Sequence, residues 1–240
     1  MAAFSIAMDT GADGIEFDVR LSRDGVAVVI HDATLQRTGL REEAVAGMSA
    51  EQLGKVDVGS WFNRAHPKRA REEFTREGVP TLDQVIRLLQ NRDARLYVEM
   101  KFGADEGFTD LTQAVARLIK EHKLHSRTVV VSFDLAAIAQ IKQIDHVIRT
   151  GALFEPKSDL TTVVRKQRMI KAAIDHGANE ILLHRAIATR GAIRLAIEAG
   201  LPVVVWTVDD PKWIDRARRL GIYALITNDP AKMTVSEARA

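Results

Sequence analysis

The chain has 240 residues, a formal net charge of +2 and 46% hydrophobic residues. Length and apolar content suit one large domain with a real core over residues 1–240, and α/β barrels often reach this size as a single unit. The near-neutral balance gives no footprint for nucleic acid, the absence of cysteine excludes disulfides, thiolate metal sites and a cysteine nucleophile, and no apolar run approaches the ~20 residues that span a bilayer.

The chain opens on MAAFSIAMDTG. It has neither a basic leader nor a long apolar core, so it is not read as a secretory signal. With the lack of cysteine, this sets the expectation of a reducing, cytoplasmic setting. Residues Ala2 to Met8 read as a short helix. Ile15 to Val19 then alternates as a strand, with Ile15, Phe17 and Val19 on one face and Glu16 and Asp18 on the other. Two carboxylates on one face are costly to bury unless something neutralises them. A hard cation with a taste for oxygen ligands, Mg²⁺ or Ca²⁺, would do so. The turn Arg23-Asp24-Gly25 leads into a second extended piece, Val26 to Ile30, which ends at His31-Asp32. A histidine just past a strand end, close in sequence to paired acids, reads as an acid/base group beside a metal. The plain alternative is a solvated pair of acids and a loop histidine.

The stretch GADGIEFDVRLSRDGVAVVIHD, followed by Thr34-Leu35-Gln36-Arg37-Thr38, resembles the signature of the glycerophosphodiester phosphodiesterase family. The resemblance implies a TIM-type (β/α)8 barrel of the α/β class with a small insertion after the second strand. Residues Thr34 to about Gly78 read as irregular, with an aromatic island at Gly59-Ser60-Trp61-Phe62. The insertion is placed at about 34–80, and its exit is Pro80-Thr81-Leu82, with Thr81 as N-cap of a helix. Trp61 and Phe62 are expected to plug the insertion onto the barrel.

Strand and helix alternate from there on. Strands are read at Arg95–Lys101, Thr128–Val131, Val147–Phe154, Glu180–Leu183, Pro202–Val208 and Tyr223–Thr227. Helices are read at Phe108–His122, Leu135–Ile144, Leu160–His176, Thr189–Ala199, Lys212–Leu220 and Ala231–Ala238, with Gly177, Gly200 and Gly221 just past three of them. With the strand at residue 15 this gives seven principal strands, where a closed barrel has eight. The family's first strand carries a His-Arg-Gly motif and leads into a Glu-Asn motif. Neither precedes Gly11. The chain is therefore expected to lack the first strand, roughly 20 to 30 residues, or one βα unit.

In the strand Leu96-Tyr97-Val98-Glu99-Met100-Lys101, Glu99 and Lys101 face away from Leu96, Val98 and Met100. The resemblance implies that Glu99 joins Glu16 and Asp18 on one divalent cation, Mg²⁺ or Ca²⁺, and that Lys101 meets a phosphate oxygen. It makes His31 one of two acid/base histidines, the other belonging to the absent segment. It also places Trp206, in Val205-Trp206-Thr207-Val208, against the substrate. The alternatives are an inward Glu99–Lys101 ion pair and a core tryptophan. His184 follows its strand toward the barrel mouth and reads as structural or substrate-adjacent. Ala224 to Pro230 resembles the closing Ile-x-Thr-Asp-x-Pro, with Asn228 in the place of the Asp.

The implied activity is metal-dependent hydrolysis of glycerophosphodiesters to sn-glycerol 3-phosphate and an alcohol. The implied partner is that small-molecule substrate, with no nucleic acid, no membrane span, and room for an oligomer. Two rivals remain. One is an N-terminally truncated, weak or inactive barrel that keeps metal or ligand binding. The other, from fold analogy, is a different metal-dependent phosphodiesterase or phospholipase.

Overall fold

The computed structural model describes residues 1–103, 107–156 and 163–234. The chain divides into two compact units, one of residues 1–8 and 14–128, the other of 9–13 and 129–240.

The first unit begins with α1 (Ala2–Asp9, of which Asp9 groups with the second unit), whose Phe4 ring meets Phe17 edge to face at 5.6 Å. β1 (Gly14–Leu21) and β2 (Ala27–Val29) form an antiparallel hairpin. Its turn is closed by Ser22, which accepts Gly25 N–H on its carbonyl and donates from Oγ to Asp24 at 2.6 Å. Gly25 takes φ +74°, a conformation that suits glycine. On its other edge β1 pairs in parallel with β3 (Arg95–Met100).

The insertion between β2 and β3 is less irregular than its sequence suggests. It holds α2 (Ala50–Gly54), α3 (Ser60–Ala65) and 3₁₀ turns at Val45–Gly47, Pro67–Arg69 and Glu72–Arg76. Pieces this short carry too few residues to show a 3.6-residue period. A small core of Val28, Ile30, Leu35, Val45, Leu53, Val56 and Val79 joins the insertion to the β1–β2 hairpin. Trp61 and Phe62 pack within the insertion. Phe62 meets Phe74 edge to face at 5.7 Å, and Phe74 is buried. α4 (Leu82–Leu89) starts at Thr81 as expected, in a capping box with Gln84, and buries Leu82, Val85, Ile86 and Leu89. α5 (Thr109–Glu121) completes the unit.

The second unit alternates β4 (Thr128–Ser132), α6 (Leu135–Ile144), β5 (Arg149–Phe154), α7 (Val163–Asp175), β6 (Glu180–His184), α8 (Arg190–Glu198), β7 (Val203–Trp206), α9 (Lys212–Leu220), β8 (Ala224–Leu225) and α10 (Pro230–Thr234); Thr128 itself groups with the first unit. The strands β4 to β8 pair in order and in parallel. Their side chains read as near-continuous Val, Ile and Leu because helices cover them. The core includes Ile138, Ile181, Leu183, Val203 and Val205. Gly221 ends α9 at φ +69°, as its place after the helix predicts. β5 begins two residues later than expected, because Asp145 accepts Val147 N–H on Oδ1 and Ile148 N–H on its carbonyl, which turns the chain first. The expected start of the helix at 160–162 and the expected end at 235–238 lie outside the described residues. Among the described residues no helix is long and apolar enough to cross a membrane.

Candidate active site

The register of β1 on β3 builds the site. Asp18 stands opposite Glu99, and Glu16 opposite Tyr97. Paired residues in a parallel ladder share a face, and alternate residues along one strand do too. Glu16, Asp18 and Glu99 therefore emerge together, while Ile15, Phe17 and Val19 are buried on the opposite face of β1. The three carboxylates each bring an oxygen to within 4.8 Å of the others. Lys101 follows on the same side, with Nζ 3.3 Å from Asp18 Oδ1 and ion-paired to Glu99 Oε1.

The electrostatics show a cluster short of positive charge. Burial first, then repulsion from Asp18 and Glu99, raises the Glu16 carboxyl to about 8. Burial also raises Glu99, against the pull of Lys101. Burial alone would lower Lys101, but Glu99 and Asp18 overcome it and hold the ammonium above its ordinary range. With Lys101 as the one ammonium beside three carboxyl groups, the crowding is relieved by a proton held on Glu16. Three carboxylate oxygens this close are a donor set that fits a hard divalent cation.

His31 follows β2 in the same unit. Ile30 N–H donates to Asp18 O at 3.0 Å, which ties the loop to the carboxylate strand. His31 Nδ1 lies 2.7 Å from Asp32 Oδ1, and Arg37 Nε donates to Asp32 Oδ2 at 2.6 Å. Arg20 Nε donates to His31 O at 2.9 Å, fixing the backbone at the histidine. Burial opposes ionisation of Asp32, but the hydrogen bonds from Arg37 and His31 win and keep its carboxyl below the ordinary range. An ionised Asp32 only accepts, so this hydrogen bond places a proton on Nδ1. Asp32, Arg37 and Arg20 were not singled out from sequence. Arg20 was visible in principle, since it alternates with Asp18, and Arg37 sits in the Thr-Leu-x-Arg-Thr tail.

In the second unit, Trp206 ends β7. Its ring meets Phe133 at 5.6 Å and His184 at 5.1 Å, both edge to face. The indole Nε1 is buried with no hydrogen-bond partner among the described residues. His184 Nδ1 accepts Ala186 N–H at 3.2 Å, which makes it a turn-stabilising group on that side. Asn228 donates from its backbone and side chain to Asp209, at 2.8 and 3.1 Å. An amide can donate there, whereas an aspartate would set two carboxylates together, so Asn228 suits its place.

Fold and site thus define an α/β protein with a carboxylate cluster on paired parallel strands and a carboxylate-anchored histidine nearby. Residues 1–232 match the model of the glycerophosphoryl diester phosphodiesterase family, and the chain belongs to that family of phosphoric diester hydrolases. It is similar to the glycerophosphodiester phosphodiesterase of Caldanaerobacter subterraneus, 28% identical over 96% of this chain and 88% of that protein. The glycerophosphodiester phosphodiesterase of Bacillus subtilis is 26% identical over 95% of this chain and 78% of its own length. Among solved structures, an Oleispira antarctica phosphodiesterase in complex with the product sn-glycerol-3-phosphate superposes with a TM-score of 0.83 at 20% identity, over 98% of this chain and 90% of that one. A glycerophosphodiester phosphodiesterase from Agrobacterium tumefaciens gives 0.77 at 25% identity, over 98% and 91%. The fold is the TIM-type α/β barrel fold of these enzymes, as the strand–helix alternation leads one to expect.

Proposed function

We propose that the chain hydrolyses glycerophosphodiesters to sn-glycerol 3-phosphate and an alcohol, with a divalent cation, Mg²⁺ or Ca²⁺, held by Glu16, Asp18 and Glu99. The observation that carries this reading is the convergence of those three carboxylates within 4.8 Å. When bound, the cation supplies positive charge to the phosphoryl oxygens and helps to orient the ester for in-line displacement. Lys101 binds a phosphoryl oxygen from the same strand face once a cation relieves its duty to the carboxylates. His31 moves a proton at Nε2, held in orientation by Asp32 on Nδ1. General acid/base work of this kind is typically worth ~10²–10⁴-fold. Trp206 is assigned a contact with substrate on the likeness of Val205-Trp206-Thr207-Val208 to the family's strand end.

The test is a coupled assay for glycerol 3-phosphate released from glycerophosphocholine and glycerophosphoethanolamine, with Mg²⁺, with Ca²⁺ and with a chelator. Turnover is expected with a cation and not with the chelator, and His31→Ala should lose at least about 10²-fold. Turnover unaffected by the chelator would overturn the metal assignment. Cation binding without turnover would favour a barrel that retains the metal site alone.

A further inference from the structure

His31 is a poor catalyst unless something holds it, because its side chain is 59% exposed on a loop. An exposed imidazole samples several rotamers. Its anchor, Asp32, is the adjacent residue on the same loop and cannot hold position alone. What fixes Asp32 is Arg37. Arg37 is itself long and 52% exposed. Its guanidinium lies over the Trp61 ring, 5.2 Å from the centroid, in cation–π geometry. Trp61 contacts Phe62 edge to face at 6.1 Å, and Phe62 rests on buried Phe74. A continuous path of contacts thus runs from a buried ring in the insertion to the imidazole.

We propose that Arg37 and Trp61 are positioning residues for His31, acting through Asp32, so that the insertion sets the orientation and tautomer of the acid/base group. This rests on the reading of His31 as that group. The chemistry suits the task. Arginine presents a planar fork, so one Nε–H can serve the carboxylate while the plane stacks on an aromatic face; lysine cannot do both. Without the stack the fork swings, Asp32 loses its orientation, and Nδ1 loses its fixed acceptor. The insertion would then do more than decorate the barrel, since it supplies the platform for a side chain that the strand ends do not hold.

The test uses the full chain with Mg²⁺ and two readouts. One is kcat and KM for glycerophosphocholine. The other is the ¹⁵N signal of the His31 ring, which reports the tautomer without reference to activity. Arg37→Ala should lower kcat about 10-fold or more with KM changed less than about twofold, and should mix the His31 tautomers, as loss of a charge-assisted hydrogen bond implies. Arg37→Lys should not rescue it. Trp61→Ala should lower kcat about 2- to 5-fold, the size of an exposed cation–π contact. Trp61→Phe keeps an aromatic face and should stay within about twofold of wild type, which also guards against a misfolded insertion. In the double variant, Trp61→Ala should add nothing to Arg37→Ala, because both act through one contact. Unchanged kcat and an unchanged tautomer in Arg37→Ala and Trp61→Ala, with His31→Ala inactive, would overturn the proposal. Full activity in His31→Ala would instead strike the acid/base reading, and the tautomer signal would still decide whether the insertion positions the ring.

Discussion

Asp18 and Glu99 stand residue against residue in the parallel ladder of β1 and β3. Like charges opposite one another destabilise a sheet, and here the arrangement is reinforced by Glu16 rather than avoided. Lys101 offsets part of the repulsion through ion pairs to both. The pairing is a cost in the bare protein, and under the proposed metal reading a bound cation would offset it. Replacing Glu99 by Gln removes one charge from the proposed ligand set while keeping shape, and ligand charge count is what tunes affinity at oxygen sites. Glu99→Gln is expected to weaken Mg²⁺ or Ca²⁺ binding by about 10²-fold in calorimetry. Unchanged affinity would show that Glu99 is not a ligand.

The same crowding gives the metal-free protein a pH dependence with a definite sign. The Glu16 carboxyl is raised from its ordinary 4.5 to about 8, by burial first and then by its acidic neighbours. Between those values the folded chain holds a proton that the unfolded chain has lost. Stability therefore falls as pH rises across that window, and is fully present below it. Thermal midpoints in chelator should decline from about pH 5 to about pH 8. Glu16→Gln should flatten the decline, and saturating divalent cation should oppose it, since binding releases the proton. A midpoint that rises with pH over this range in chelator would contradict the assignment.

Thr81 joins two functions of the insertion's exit. Its side chain accepts Gln84 N–H at 3.2 Å to cap α4, and its backbone bridges Val28 of β2. Thr81→Ala loses the cap alone, and an N-cap of this kind is worth about 1 kcal/mol. Urea unfolding should show that loss for Thr81→Ala and little change for Thr81→Ser, whose hydroxyl caps equally well.

Much of this architecture was legible because it obeys short periods. Glu16 and Asp18 declare a strand face by alternation, Glu99 and Lys101 repeat the pattern, and the βα spacing sets the fold class. Thr81 and Gly221 mark helix ends through local chemistry that needs no tertiary information. The contacts that anchor His31 are of another kind. Arg37 and Trp61 lie 24 positions apart in an insertion of helices only a few residues long. No periodicity links them, and only the folding of the insertion on its own small core brings ring and guanidinium together. The regular part of β8 is likewise shorter than its apolar run; Ile226 N–H still donates to Val205 O, and past it the Thr227 hydroxyl and the Asn228 N–H turn to Asp209.

Gly14 opens β1 opposite Arg95, the first residue of β3. A Cβ at residue 14 would lie 2.5 Å from Arg95 O and 3.1 Å from Arg95 Cβ. The nearer atom is backbone, so a flexible side chain cannot relieve the overlap; one strand must shift against the other. Overpacking of this sort costs about 1–3 kcal/mol. The consequence reaches past stability, because Glu16 and Asp18 lie two and four residues further along the same strand and rely on its register with β3. Gly14→Ala is therefore expected to lower the thermal midpoint and also to weaken divalent-cation binding, although residue 14 touches no ligand. Calorimetry of both quantities separates the possibilities. A lowered midpoint with unchanged cation affinity would mean that the carboxylates converge without help from the strand's opening register.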